Sequence, residues 1–133
     1  MEEVLNSLEK WHNMLAMQNF EILSELLAED VIFRSPVAFK PYIGNEIVFF
    51  ILTNVRQVFE NFTYHREFYT ADKKQVVLEF SANINDIKLK GVDIIRFNNQ
   101  GKIDEIEVLI RPKQGLGALE HLMSERIKKY VNI

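Results

Sequence analysis

One carboxylate stands inside a segment that otherwise has the pattern of a buried β-strand, "KGVDIIRF" at residues 90–97. The alternation of side chains along a strand predicts that Asp93 faces the protein interior. A carboxyl group that loses its hydration favours its neutral form, which can donate a hydrogen bond or a proton. Asp93 is therefore the candidate catalytic acid, or the polar anchor of a binding pocket. The alternative is a structural Asp93 at the sheet margin that bonds a helix amide, a hydroxyl or the indole of Trp11.

His65 is a second, weaker catalytic candidate, because it lies on a predicted strand beside this one. If Phe62, Tyr64 and Phe68 share an inward parity, His65 faces outward and is a surface residue. If Arg66 pairs with Glu79 on the outer face, His65 and Glu67 turn inward, where His65 could act as a base. The sequence leaves both orientations open. His12 and His121 are interpreted as packing or capping residues.

Other chemistries find no support in the residue pattern. Glu105 and Glu107 are typical of a charged strand face, and no His–Glu spacing indicates a metal site. Ser35 precedes a proline in a loop rather than forming a nucleophile elbow, and no glycine-rich phosphate loop precedes a helix. The chain contains no cysteine. No cofactor and no metal are expected.

Composition narrows the class of protein. The chain has 133 residues, 47% of them hydrophobic, which fits a single domain over residues 1–133 with its own core. A net charge of −3 with scattered basic residues argues against a nucleic-acid surface. The longest apolar run, "IVFFIL", is too short to cross a bilayer, so we expect a cytoplasmic protein that does not bind membranes.

Periodicity predicts the elements that position Asp93. Helical spacing of apolar residues indicates helices over residues 2–18, 20–28 and 46–59, with Asn45 as a helix cap, and a last helix after Gly115. A short strand, "DVIFR", precedes Pro36. Four further strands are predicted at 62–70, 75–84, 87–98 and 102–111, separated by the turn sequences "ADKK", "ND" and "NNQG". Helices followed by a run of strands indicate an α+β fold with an antiparallel meander.

The turns also predict the strand register. A two-residue turn at Asn85-Asp86 places Asp93 opposite Leu78, and pairing of Arg96 with Glu105 places Asp93 opposite Val108. The inner face then carries no basic residue from these three strands, so no ion-pair partner for Asp93 is predicted there. Besides Asp93, that face would hold Leu78, Phe80, Ile95, Ile106, Val108 and Ile110.

The opposite face of the predicted sheet mixes apolar and charged side chains. Its charges can pair across strands, while Val77, Val92, Ile94 and Leu109 leave it half apolar. Such a face suits a homodimer interface, and a simple solvated surface is the alternative.

The element order, together with "GVDIIRF", the "GKI" turn and "RP" before the last helix, resembles the nuclear transport factor 2-like superfamily, in particular its SnoaL-like members. The resemblance covers nearly the whole chain. It implies a cone-shaped, curved antiparallel sheet wrapped by three N-terminal helices around an apolar pocket, with a C-terminal helix and frequent dimerisation. Members include isomerases, polyketide cyclases and dehydratases, as well as non-catalytic binding domains, so the fold alone does not define an activity.

The segment "SPVAFKPYIG" is similar to the part of ketosteroid isomerases that carries their general base. Asp93 matches the position of the oxyanion-hole acid of those enzymes, and Trp11 approximates the position of their oxyanion-hole tyrosine. Ser35, however, stands where the resemblance implies an aspartate base, and a hydroxyl is not basic enough for that proton transfer. A standard ketosteroid isomerase is therefore not expected.

We expect a small-molecule binding protein or a cofactor-independent enzyme of cyclase, isomerase or dehydratase type. By resemblance, its ligand would be a small hydrophobic molecule, an unsaturated or polycyclic carbonyl compound. The alternative is a non-catalytic dimerisation or partner-binding module whose cavity is filled by Phe49, Phe50 and Phe59. The candidate ligand-binding residues are Trp11, Phe33, Ser35, Leu78, Phe80 and Val108.

Overall fold

The computed structural model describes residues 2–131, and the side chains of residues 2–128. The helices are α1 (Glu2–Met17), α2 (Leu23–Leu26), α3 (Asn45–Val58) and α4 (Lys113–Val131). The strands are β1 (Leu27–Arg34), β2 (Tyr42–Ile43), β3 (Glu60–Tyr69), β4 (Gln75–Ile84), β5 (Ile87–Phe97) and β6 (Ile103–Arg111). They form one curved, unclosed sheet in the order β2-β1-β6-β5-β4-β3. The predicted α+β class is confirmed.

The helices cover the sheet because each presents an apolar stripe. In α1 the stripe is Val4, Leu8, Trp11 and Met14, all buried at helical spacing. The helix α2 is shorter than predicted, since the chain from Leu27 onward pairs with β6 as part of β1. No helix in the described part of the chain is long and apolar enough to cross a membrane.

Asn45 does not cap α3 as predicted. It is the first residue of the helix, and Gly44 occupies the capping position. The Asn45 side-chain amide instead donates to the backbone carbonyls of Ser24 and Leu27, at 2.9 Å and 3.0 Å. These bonds tie the start of α3 to the junction between α2 and β1.

The predicted meander and its register are confirmed. In the β4–β5 hairpin Ile84 pairs with Ile87, and Asp93 lies opposite Leu78. On the other side Asp93 lies opposite Val108 in β6. The inner face therefore has the predicted composition, and Asp93 stands in the middle of it.

Strand β3 contains an irregularity that resolves the ambiguity about His65. Its register with β4 shifts between Tyr64, which pairs with Phe80, and Glu67, which pairs with Leu78. The two residues between them, His65 and Arg66, are both exposed. Such a bulge places two consecutive residues opposite one and reverses the parity of the strand beyond it. Tyr64 and Glu67 therefore both belong to the inner face. The predicted inward orientation of Phe68 is wrong, because beyond the bulge Phe68 pairs with Val77 on the outer face and is 54% exposed.

The outer face carries the cross-strand ion pairs expected from its charges. Arg66 donates to both carboxylate oxygens of Glu79, and Lys90 lies 3.5 Å from the same group. The hydrogen bonds from Arg66 lower the pKa of Glu79 to about 2, so this carboxylate stays ionised at physiological pH. Arg96 contacts both Asp104 and Glu105.

Gly91 should be essential for packing, because it lies opposite Phe80 on the inner face. A Cβ at this position would lie 2.6 Å from Cζ of Phe80 and closer still to the carbonyl oxygen of Leu109. We expect Gly91→Ala to cost about 1–3 kcal/mol in the free energy of unfolding, measured by urea denaturation.

The control for this substitution is Gly117→Ala, at an exposed position in α4 where a Cβ meets nothing within 4 Å. There alanine should add about 1 kcal/mol, since glycine is a poor helix former. Equal effects of the two substitutions would show that the close approach at Gly91 is not a constraint.

Candidate functional site

The carboxylate of Asp93 is the centre of a buried polar cluster. The residue is 1% exposed, and its Oδ2 accepts two hydrogen bonds. The Tyr64 hydroxyl donates at 2.6 Å and Nη2 of Arg56 donates at 3.1 Å. Asp93 thus has an ion-pair partner after all, supplied by helix α3. The prediction considered only the three strands, and for them it holds.

Arg56 reaches Asp93 because it continues the buried stripe of α3. Val48 and Leu52 precede it at intervals of four residues and are both buried. The guanidinium lies over the ring of Phe62 at 4.4 Å and near the ring of Trp11 at 5.6 Å. Aromatic faces attract a cation, so these rings help to hold a charge whose side chain is only 7% exposed.

Tyr64 connects Trp11 to the carboxylate. The indole N–H of Trp11 donates to the Tyr64 oxygen at 3.0 Å, and the Tyr64 hydroxyl in turn donates a hydrogen bond to Asp93. Burial, and then the negative charge of Asp93, raise the pKa of Tyr64 well above its ordinary value. Tyr64 is therefore a neutral hydrogen-bond donor at physiological pH. The bond between Trp11 and Asp93 that the structural alternative invoked is relayed through Tyr64.

A cleft of about 910 Å³ opens in front of this cluster. Its walls come from the second half of α1 with the turn that follows, from the end of α3, and from the first half of β3. Arg56 and Tyr64 form part of the wall, whereas Asp93 lies behind them. The residues that line the cleft are His12, Leu15, Ala16, Gln18, Phe20, Arg56, Gln57, Phe59, Asn61, Phe62, Thr63 and Tyr64.

Aromatic side chains fill the space between the cleft and the sheet. The ring centroid of Phe62 lies 4.9 Å from that of Phe80 and 5.8 Å from that of Phe59. Phe80 is fully buried. These contacts belong to the hydrophobic core, so the polar cluster meets solvent only on the side of the cleft.

The six candidate ligand-binding residues do not line this cleft. Trp11, Phe33, Leu78 and Phe80 are buried in the core, and Val108 is half-buried beside Asp93. The Ser35 hydroxyl accepts the backbone N–H of Val37 at 3.1 Å and closes the turn after β1. Of the six, Trp11 acts on the cleft wall through its bond to Tyr64. Direct contact of these residues with a ligand stays a prediction.

His65 is not part of the cluster. Its Nε2 lies 2.7 Å from the hydroxyl of Ser81 on the outer face of the sheet. This position agrees with the outward orientation and separates His65 from Asp93 by the thickness of the sheet. Within the described residues, no group of three or more His, Cys, Asp or Glu side chains is arranged to hold a metal ion.

Three residues of the site were missed from the sequence. Arg56 is the one basic residue of α3, and its spacing from Val48 and Leu52 was the available signal. For Tyr64 the available signal was its alternation with Phe62, which predicted that both side chains face inward. His12, interpreted as a packing residue, lines the cleft and lies 2.9 Å from Glu67. That pairing depends on the bulge in β3, whose trace in the sequence is the conflict between the two orientations inferred for the strand.

The comparisons with known proteins agree with this architecture. Residues 8–106 match the SnoaL-like domain, and the chain belongs to this family, within the nuclear transport factor 2-like superfamily. A crystal structure of a steroid delta-isomerase from Pseudomonas aeruginosa is 43% identical and has a TM-score of 0.96. The alignment covers 100% of this chain and 97% of that one.

Two further structures extend the comparison. An uncharacterized protein with a cystatin-like fold from Silicibacter pomeroyi DSS-3 is 33% identical with a TM-score of 0.85, and 91% and 84% of the two chains align. A nuclear transport factor 2-like protein from Mesorhizobium loti shares the fold at 14% identity and a TM-score of 0.72, over 84% and 93% of the chains. No curated protein matches the sequence.

Removing the cation from the buried pair should destabilise the protein strongly. In Arg56→Met the carboxylate of Asp93 loses its counter-charge, which typically costs about 3–5 kcal/mol. Urea denaturation of Arg56→Met and of the double variant Arg56→Met/Asp93→Leu tests this. The double variant should recover much of the loss, because no isolated charge remains buried.

The matched control is Arg34→Met on the outer face. Arg34 is 41% exposed, and its partner Glu105 keeps a second contact with Arg96. We expect a loss of less than about 1 kcal/mol there. Similar losses for Arg34→Met and Arg56→Met would mean that the buried pair contributes no more to the free energy of unfolding than an exposed pair does.

Proposed function

We propose that the protein binds a small carbonyl compound in the cleft, with the carbonyl oxygen at the Arg56 guanidinium beside Tyr64, and acts on it in the manner of an isomerase or cyclase. The observation that carries this proposal is the position of the two residues. They form cleft wall on one side and are held by the buried Asp93 carboxylate on the other.

Arg56 has donors to spare. A guanidinium carries five N–H groups, and the described contacts with Asp93 and Tyr64 use Nη2 alone. The N–H groups on Nε and Nη1 donate to no described residue. Fixed donors on a side chain as buried as this one stabilise negative charge that develops on an oxygen. The cluster is thus suited to hold an enolate or a related oxyanion.

In this proposal Asp93 is a positioning residue rather than the acid that touches the substrate. It fixes the phenol and the guanidinium, and its charge balances that of Arg56, which favours a neutral ligand over an anionic one. The apolar part of the cleft, including Leu15, Phe20 and Phe62, suits a hydrocarbon ring.

The substrate class is supported by the similar protein from Pseudomonas aeruginosa, which is described as a steroid delta-isomerase. An unsaturated or polycyclic ketone is therefore the proposed ligand. The hydroxyl of Ser35 accepts a hydrogen bond from the backbone N–H of Val37 and so closes a turn. A serine in this role supports the view that the chain is not a standard ketosteroid isomerase.

The second candidate function is a non-catalytic binding module. The packed aromatic core formed by Phe59, Phe62 and Phe80 favours it, because the interior behind Tyr64 is filled. The two candidates differ in a simple way: a module of this kind has no need for a ketone in the cleft.

Blocking the cleft tests the proposal. Ala16 is exposed and lines the cleft on α1, so Ala16→Trp should fill it. Thermal unfolding is followed with 2-cyclohexenone, a decalone and a ketosteroid as probes. A ligand at 100 times its dissociation constant stabilises the native state by about 2.7 kcal/mol, which raises the melting temperature by several degrees. Ala16→Trp should abolish this shift.

The control is the neighbouring residue Met17, which is 77% exposed and does not line the cleft. Met17→Trp should bind the probes as the wild type does. Unchanged binding by Ala16→Trp would place the ligand elsewhere. The absence of a shift with every probe would leave the non-catalytic module as the better account.

We also propose a homodimer formed through the outer sheet face. Its support is the apolar strip on that face, where Leu109 is 50% exposed beside the half-buried Val92 and Ile94. Sedimentation velocity should show a dimer that Leu109→Glu converts to a monomer. Leu5→Glu, at a 45% exposed leucine of α1, should leave the dimer intact. A monomeric wild type would contradict the proposal.

A further inference from the structure

A histidine and a glutamate meet at the wall of the cleft. Nε2 of His12 lies 2.9 Å from Oε1 of Glu67, and both side chains are about one-third exposed (36% and 33%). His12 lines the cleft together with Arg56 and Tyr64, and its ring stands edge-on to the Tyr64 ring at 5.5 Å between centroids. A proton-transfer group therefore lies beside the proposed oxygen-binding group.

The bulge in β3 is what brings the two residues together. Without it, the parity of Tyr64 would turn Glu67 to the outer face. His65 and Arg66 together lie opposite the single residue Glu79 of β4. Glu67 therefore pairs with Leu78 and faces α1. Bulges commonly re-aim a side chain in this way next to functional sites.

Glu67 orients the imidazole of His12. An ionised carboxylate only accepts hydrogen bonds, so the contact fixes the proton on Nε2 and leaves the lone pair on Nδ1. Nδ1 contacts no described hydrogen-bond donor. Tyr69 donates its hydroxyl to the other oxygen of Glu67. Burial and this bond raise the pKa of Tyr69 to about 12, so Tyr69 remains a donor at physiological pH and holds the glutamate in place.

We propose that His12, oriented by Glu67, is the general base of the reaction in the cleft, in place of the carboxylate that is absent at Ser35. This inference rests on the proposed function, since it requires a ketone whose oxygen lies at Arg56. The substrate class that fits is a β,γ-unsaturated ketone.

The reaction balances without a cofactor or a second reactant. Nδ1 of His12 takes the proton from the carbon between the carbonyl and the double bond. The C–H electron pair forms a dienolate, whose oxygen is stabilised by the N–H donors of Arg56. The His12 imidazolium then returns the proton to the γ carbon, which yields the conjugated ketone and restores the neutral imidazole.

The experiment uses 3-cyclohexen-1-one and a β,γ-unsaturated ketosteroid as probes. Conversion to the conjugated ketone is followed by ultraviolet absorbance, solvent-deuterium incorporation by NMR, and binding by thermal shift. His12→Gln should lower the conversion rate by about 100-fold or more, the usual contribution of a general base. Glu67→Gln should lower it less, and both variants should bind the probes as the wild type does.

His121 and Glu125 provide the matched control. They form a similar pair on α4, 3.5 Å apart and largely exposed, outside the cleft. His121→Gln and Glu125→Gln should convert the probes at the wild-type rate. An equal loss in the two sets of variants would overturn the role of the dyad.

The remaining outcomes separate this inference from the proposed function. Binding without conversion by the wild type, or full conversion by His12→Gln, would overturn the role of His12 and leave the cleft as a ketone site. Failure of the wild type both to bind and to convert either probe would overturn the inference together with the proposed function.

Discussion

The arrangement of the site follows from one constraint, the burial of the Asp93 carboxylate in the middle of a sheet. A charge in that position requires a counter-charge and hydrogen-bond donors, or it would destabilise the fold. The sheet supplies no cation on its inner face. The cation comes from α3, whose buried stripe ends on Arg56, and the donor comes from Tyr64 on β3. The same carboxylate thereby fixes the relative positions of helix and sheet.

This arrangement assigns to different residues two tasks that a single acid would otherwise combine: holding the polar cluster in place and contacting the ligand. Asp93 bonds Arg56 and Tyr64 from the side of the sheet, and Arg56 and Tyr64 line the cleft. The aromatic rings of Phe62 and Trp11 pack against the guanidinium, which is largely buried. Donors that are fixed before a ligand arrives need little reorganisation when charge develops on that ligand. The buried pair can thus serve both stability and chemistry.

The sequence predicted the sheet well because two-residue turns determine register over a whole hairpin. Once Asn85-Asp86 is a turn, the position of Asp93 opposite Leu78 follows by counting. Prediction was weaker wherever a long-range contact decides the outcome. Arg56 lies 37 residues before Asp93 in the chain, and no local pattern joins them. The bulge after Tyr64 is likewise fixed by its neighbours, so the two conflicting orientations inferred for β3 each described one half of the strand.

A crystal structure of the protein with a bound ketone would test the account most directly. It predicts a ketone oxygen within about 3 Å of Nε or Nη1 of Arg56, the ordinary hydrogen-bond distance, with the bonds from Arg56 and Tyr64 to Asp93 intact. A ketone oxygen bonded directly to Asp93, with Arg56 displaced from the pair, would contradict the account. So would a ligand bound on the outer face of the sheet with the cleft left empty.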